Sequence, residues 1–161
     1  MATNADVTQD EDLTPAEELR DLLETLLEAM DLDGDVAVEE TEDALTGTVE
    51  GDDLGRFIGR HGQTIEAVQH LAQRIVLRGG GGPRLIVDAA GYRQRRESML
   101  RAQADDAADE ALRTRRPVEL DPMSSAERRF VHEHLRERGQ VETHSEGDEP
   151  ERRLVVVPPP G

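Results

Sequence analysis

Midway along the chain, between two apolar stretches, stands Gly59-Arg60-His61-Gly62, a basic pair bracketed by glycines. Glycine has no side chain to hold a ligand off its backbone, so such a loop can bring amides and a cation against a phosphate. Arg56 adds a cation just before it, and Gln63-Thr64-Ile65 open an amphipathic segment just after it. A second pair, Arg128 and His132, stands four residues apart and shares one face of any helix that carries it. On residue types alone this is a helix-surface pair that bonds within its own domain. His132 and His134 are two apart and face different ways, which argues against a metal pair. The chain has 14 glycines, so the spacing by itself decides little. The surrounding elements must decide.

Composition narrows the options. A chain of 161 residues fits one domain or two small ones. Three aromatic residues, Phe57, Tyr92 and Phe130, exclude a large aromatic core. Without cysteine there is no disulfide, thiol nucleophile or thiolate metal site. No apolar run approaches the ~20 residues that span a bilayer, and the polar start is not a secretory signal, so the expected place is the cytoplasm. The net charge of −17 first argues against a nucleic-acid ligand. Its distribution weakens the objection: residues 1–54 hold 19 acidic side chains and one Arg, the remainder 17 and 18. Every cation is Arg and none is Lys, so each can contact phosphate bidentately and stack on bases.

In chain order, residues 1–12 read as a disordered acidic tail. Thr14-Pro15-Ala16-Glu17 reads as a capping box opening a helix with Leu19, Leu22, Leu23, Leu26, Leu27 and Met30 on its apolar side. Asp31, Asp33 and Asp35 resemble a calcium loop, but Val36 stands where its sixth-position glycine is required, so calcium is rejected. Val36-Val38 and Leu45-Val49 form a hairpin about Glu42-Asp43. A short helix over 54–58, the loop, and a helix over 63–77 burying Ile65, Val68, Ala72, Ile75 and Val76 follow. Gly79 to Gly82 is a flexible connector, and Leu85-Val87 a third strand. Tyr92 to Arg115 is a long helix with a thin apolar face of Met99, Ala104, Ala107, Ala108, Ala111 and Leu112. Its basic residues come first and its acidic ones last, against the helix dipole. Pro117 to Leu120 is an edge strand, Ser124 caps a helix ending at Gly139, and Val141-His144 with Arg152-Val157 close a last hairpin. Pro159 to Gly161 is a tail.

Helix, strand, strand, helix, Gly-x-x-Gly, helix, strand is the order of a prokaryotic-type (type II) KH domain. With Glu127-Arg128-Arg129-Phe130-Val131-His132, Thr143-His144-Ser145-Glu146-Gly147 and Arg152-Arg153-Leu154-Val155-Val156 downstream, residues 15–158 resemble the bacterial Jag (KhpB) family. That family joins a KH domain to a domain named for Arg, three residues, then His (R-3-H). The resemblance implies an α+β chain: a KH domain with a three-stranded sheet over 13–90, then a small α+β R-3-H domain over 91–158. It implies sequence-tolerant binding of single-stranded RNA, with single-stranded DNA an alternative ligand. It also implies a global regulator or RNA chaperone linked to envelope growth and division, and a small single-KH partner protein. By position, Gly59, Arg60, His61 and Gly62, with Arg56 beside them, match the KH loop. Arg128 and His132 match the second motif, and with Arg152 they offer a second phosphate site. Many members carry a further N-terminal domain; here a short acidic tail is read before the first helix.

No catalytic constellation, cofactor motif or metal site is legible. The serines at 124, 125 and 145 stand in caps or turns, with no glycine elbow. The rival to a nucleic-acid binder is an interaction adaptor that uses the acidic N-terminal third.

Overall fold

The computed structural model describes residues 13–78 and 81–160; the tail at 1–12, Gly79, Gly80 and Gly161 lie outside the described residues. The chain divides into two compact units between Ala90 and Gly91, both mixed α+β.

The first unit runs α1 (Pro15–Ala29), β1 (Asp35–Glu40), β2 (Ala44–Glu50), α2 (Gly55–Ile58), α3 (Gln63–Val76) and β3 (Arg84–Ala89). The capping box forms as read: Glu17 N–H donates to Thr14 Oγ1 at 3.3 Å, and Thr14 N–H to Glu17 Oε2 at 2.8 Å. The sheet order is β1-β2-β3, with β1–β2 antiparallel and β2–β3 parallel. A parallel neighbour needs a crossover, which α2 and α3 supply. Leu19, Leu23 and Leu27 of α1 are buried, as are Leu45 and Val49 on the matching face of β2. Between them Gly47 makes room: a Cβ there would lie 2.7 Å from Leu23 Cδ1. The absent side chain is what lets the leucine stripe settle on the central strand.

On α3 the buried residues are Ile65, Val68, Ala72 and Val76. Ile75, expected inside, is 38% exposed. The buried set, at i, i+3, i+7 and i+11, spans about 80° of the helical wheel, and Ile75 lies roughly 20° beyond its edge at Val68.

The second unit runs α4 (Tyr92–Thr114), β4 (Val118–Glu119), α5 (Ser125–Arg138), β5 (Glu142–Glu146) and β6 (Arg153–Val157). Its sheet order is β4-β6-β5, both pairings antiparallel. Leu100, Ala104, Ala107, Ala108 and Ala111 of α4 meet Val131 and Leu135 of α5 and Leu154 and Val156 of β6. Met99, expected in this face, is 54% exposed, and Leu100 takes the place. Leu100 lies one helical turn before Ala104 on the buried stripe, whereas Met99 is rotated off it. Ser124 caps α5, donating its N–H to Glu127 Oε2 at 3.0 Å and accepting Glu127 N–H at 3.3 Å.

Candidate nucleic-acid interface

The loop begins where α2 is forced to stop. Gly59 N–H still completes the helical pattern, donating to Gly55 O at 2.8 Å. Its own dihedrals, φ 76° and ψ 173°, lie in a region essentially reserved for glycine. The reason is contact. A Cβ on Gly59 would sit 2.2 Å from Thr64 Oγ1 and 2.7 Å from Thr64 N, so the backbone presses against the first turn of α3. A single 3-10 turn over Arg60–Gly62 follows, with His61 at φ 54° and Gly62 at φ 79°. Gly62 N–H donates back to Gly59 O at 3.2 Å.

This turn displays Arg60 exposed and His61 half-buried, and leads into α3 without any side-chain cap. An uncapped helix start directs peptide dipoles outward and favours negative charge. The amides of Gly59 and Gly62 are spent inside the loop. Attraction for an anion therefore rests on Arg60, His61 and the first turn of α3.

Arg56, on α2, donates from Nη2 to Asp31 O at 3.1 Å. It shares a groove with Asp31, Asp33, Asp35, Asp52 and Asp53, a surrounding that offsets its charge. The structure thus gives Arg56 a bracing contact to the turn between α1 and β1.

In the second unit the Arg128 side chain is only 9% exposed. Its Nη1 donates to Met123 O at 2.7 Å and its Nη2 to Glu149 Oε1 at 2.7 Å. The guanidinium thus ties α5 to the segment before it and to the β5–β6 turn. His132, one turn on, is exposed, and its Nδ1 lies 2.5 Å from Thr143 Oγ1 on β5. Arg152 is half-buried and donates from Nη1 to Gly147 O at 2.9 Å, bracing the same turn. The three residues expected to form a second phosphate site thus split: His132 on the surface, the two arginines holding the turn.

The match to known protein families follows the same division. Residues 16–88 match the KhpA/KhpB KH domain, and residues 98–158 match the R-3-H domain. The chain is 36% identical over 139 residues to an RNA-binding protein KhpB of Clostridium symbiosum, covering 84% of this chain and 63% of that one. It is 32% identical over 149 residues to an RNA-binding protein KhpB of Bacillus subtilis, covering 91% and 72%. The chain belongs to the KhpB family. It spans under half, 46%, of a Streptococcus pneumoniae relative to which it is 29% identical.

Two contributions within this KhpB-family chain escape a reading of the sequence. Glu127 reads there only as half of a capping box, yet its Oε1 also accepts Arg96 Nε at 2.6 Å, linking α4 to the start of α5. Burial alone would lower the Arg96 pKa; the Glu127 carboxylate reverses this and raises it. Glu149 sits in a turn with no periodicity, so nothing in the sequence marks it as the Arg128 partner.

A further α4–α5 tie joins Asp105, Asp109, His134 and Arg138. Asp105 Oδ1 accepts from His134 Nε2 at 3.0 Å and Arg138 Nη1 at 3.2 Å, and Asp109 pairs with Arg138 Nη2. Burial pushes the Asp105 carboxyl up, but His134 and Arg138 outweigh it and hold it below its ordinary 3.8. A depressed carboxyl stabilises the fold above its unfolded pKa and loses that contribution as pH falls through the folded value. The acid limb of unit-two stability should therefore flatten in Asp105→Asn, by under ~1 kcal/mol because the pair is well solvated. Urea titrations between pH 6 and 2 measure it; an unchanged acid limb removes Asp105 from this role. Among the described residues no helix is long and apolar enough to cross a membrane.

Proposed function

We propose that this chain binds single-stranded RNA through its sugar-phosphate backbone, with the Gly59–Gly62 loop as principal contact. The observation that carries the reading is the Gly59 backbone seated on Thr64, which an added Cβ would approach to 2.2 Å. That packing fixes Arg60 and His61 at the uncapped start of α3, where a phosphate gains from charge and helix dipole together. The relatives' name, RNA-binding protein KhpB, supports the same ligand. His132, exposed on α5 and oriented by Thr143, supplies a second, weaker contact, with Arg128 and Arg152 setting the surface around it. Two weak contacts on one chain reinforce each other through effective concentration. With three aromatic residues in the chain, base stacking is limited and sequence preference low. The chain acts in the cytoplasm as a post-transcriptional regulator or RNA chaperone tied to envelope growth and division, beside a small single-KH partner, and it is no enzyme.

Fluorescence anisotropy with a short single-stranded RNA tests this. Arg60→Asp with His61→Asp should lower affinity at least ~10-fold at low salt, since two favourable phosphate contacts become repulsive. Asp tolerates the left-handed backbone at position 61, so the loop keeps its shape. Undiminished binding by the folded double variant rejects the loop as the site. A second reading, docking of a basic partner, is favoured by the groove of Asp31, Asp33, Asp35, Asp52 and Asp53.

A further inference from the structure

The two helices of the second unit end in arginines that nothing holds. Six others in the unit are committed: Arg96, Arg101, Arg128, Arg129, Arg138 and Arg153 each meet a carboxylate. Among the described residues Arg113, Arg115, Arg116 and Arg136 hold no hydrogen bond or ion pair, and all four are exposed. Arg113 shows how they come to be free. Asp109 stands four residues before it, the spacing of a helical ion pair, yet its carboxylate goes to Arg138 on α5. Arg115 ends α4 in the left-handed conformation, φ 58° and ψ 29°. The second helix ends the same way on Gly139, the usual residue there because a Cβ raises the energy. Cations also suit the dipole at a helix C-terminus. That accounts for Arg113 and Arg136, which lie in last turns, and not for Arg116, which lies beyond α4 and before Pro117.

The four belong to one end of the unit. The ties Arg96–Glu127, Asp105–His134 and Asp109–Arg138 advance together along both helices, so α4 and α5 run in the same direction. Their C-termini therefore face one way. Arg136 stands four residues beyond His132 and shares its face of α5. A strand held at His132 meets Arg136 next and the helix ends after it. The unpaired acids beside these arginines in sequence, Glu110 and Glu137, are outnumbered two to one. We propose that Arg113, Arg115, Arg116 and Arg136 form a further phosphate-binding surface, which takes the sugar-phosphate backbone of single-stranded RNA across the C-terminal end of α4 and α5. The proposal rests on the RNA-binding reading above. A guanidinium presents forked donors that match phosphate oxygens. Contacts of this kind position a strand without reading its bases, so the surface adds affinity and no sequence preference.

The test measures the affinity of the full chain for a single-stranded RNA of ~20 nucleotides across a series of salt concentrations. One triple variant carries Arg113→Gln, Arg115→Asn and Arg116→Gln; asparagine tolerates the left-handed backbone at 115. The control carries Arg101→Gln, Arg129→Gln and Arg153→Gln, which removes the same charge from arginines that already hold Glu97, Glu133 and Glu119. Each phosphate contact on a single strand contributes ~0.7 to the slope of log affinity against log salt, so the first variant should flatten the slope by ~2 and lower affinity at least ~10-fold at low salt. The control should keep the parent's slope. Arg116→Gln alone alters no helical residue and should flatten the slope by ~0.7, which decides the matter if the triple variant fails to fold. Equal slopes for the two triple variants, or an unchanged slope in Arg116→Gln, overturn the proposal. So does loss of polyglutamate binding with the RNA slope intact, which gives the surface to an acidic protein. If the loop double variant weakens binding while the first triple variant matches its control, the RNA reading stands and only this surface falls. Binding of RNA by none of the proteins, the parent included, overturns both.

Discussion

Replacing Gly59 by alanine should unfold the loop and with it RNA binding. The added methyl would lie 2.2 Å from Thr64 Oγ1, 2.7 Å from Thr64 N and 2.8 Å from Thr64 Cβ. Two of these atoms belong to the side chain, but the nitrogen is backbone in the first turn of α3 and cannot step aside without moving the helix. The backbone at φ 76°, ψ 173° adds its own cost for any residue with a Cβ. Strain and overpacking together should destabilise the first unit by about 3 kcal/mol. For a unit of this size, that is a fall in melting temperature of roughly 12–24 °C. Affinity for single-stranded RNA should drop at least ~10-fold even where the variant is folded, because relief of the clash displaces Arg60 and His61 from the start of α3. Gly81→Ala is the matched control, since a Cβ there meets nothing within 4 Å. A Gly59→Ala protein as stable as the control would remove the steric argument for the loop.

Arg128→Met should be the most damaging single change in the second unit. It leaves the Met123 carbonyl and the Glu149 carboxylate without their donor, both bonded at 2.7 Å. The carboxylate is 59% exposed and regains water, so the larger loss is the buried bracing of α5 against its preceding segment. About 2–3 kcal/mol is expected. Glu149→Gln, by contrast, should cost under ~1 kcal/mol. The same variants separate a bracing from a contacting role. A phosphate contact contributes about one to the slope of log affinity against log salt, so its loss flattens the slope. Arg128→Met should leave the slope unchanged under conditions where the unit is folded, while Arg60→Ala in the loop should flatten it. A slope reduced by about one in Arg128→Met would instead make the guanidinium a phosphate ligand.

These variants also show which links were legible in one dimension. Capping boxes at Thr14 and Ser124 depend on residues three apart, and the leucine stripe of α1 on residues four apart. The chain order helix, strand, strand, helix, loop, helix, strand follows from such local spacings, and the observed elements run in that order. Periodicity placed the buried faces of α3 and α4 but not their margins. Ile75 and Met99 each stand beside the correct stripe, and only the packed neighbours show that they lie outside it.

Element order, helix caps, hairpins and the glycine-bracketed turn are therefore readable from the residue string, because interactions within a few residues set them. The roles of those residues come from packing. It seats Gly59 on Thr64, turns Arg128 inward to Met123 and Glu149, joins His132 to Thr143, and pairs Asp109 with Arg138. Most of these contacts join residues 11 to 29 apart. An arginine facing phosphate and one buried against a carbonyl are the same letter in a sequence. Their difference is made by which backbone and carboxylate groups the packed elements bring within 3 Å.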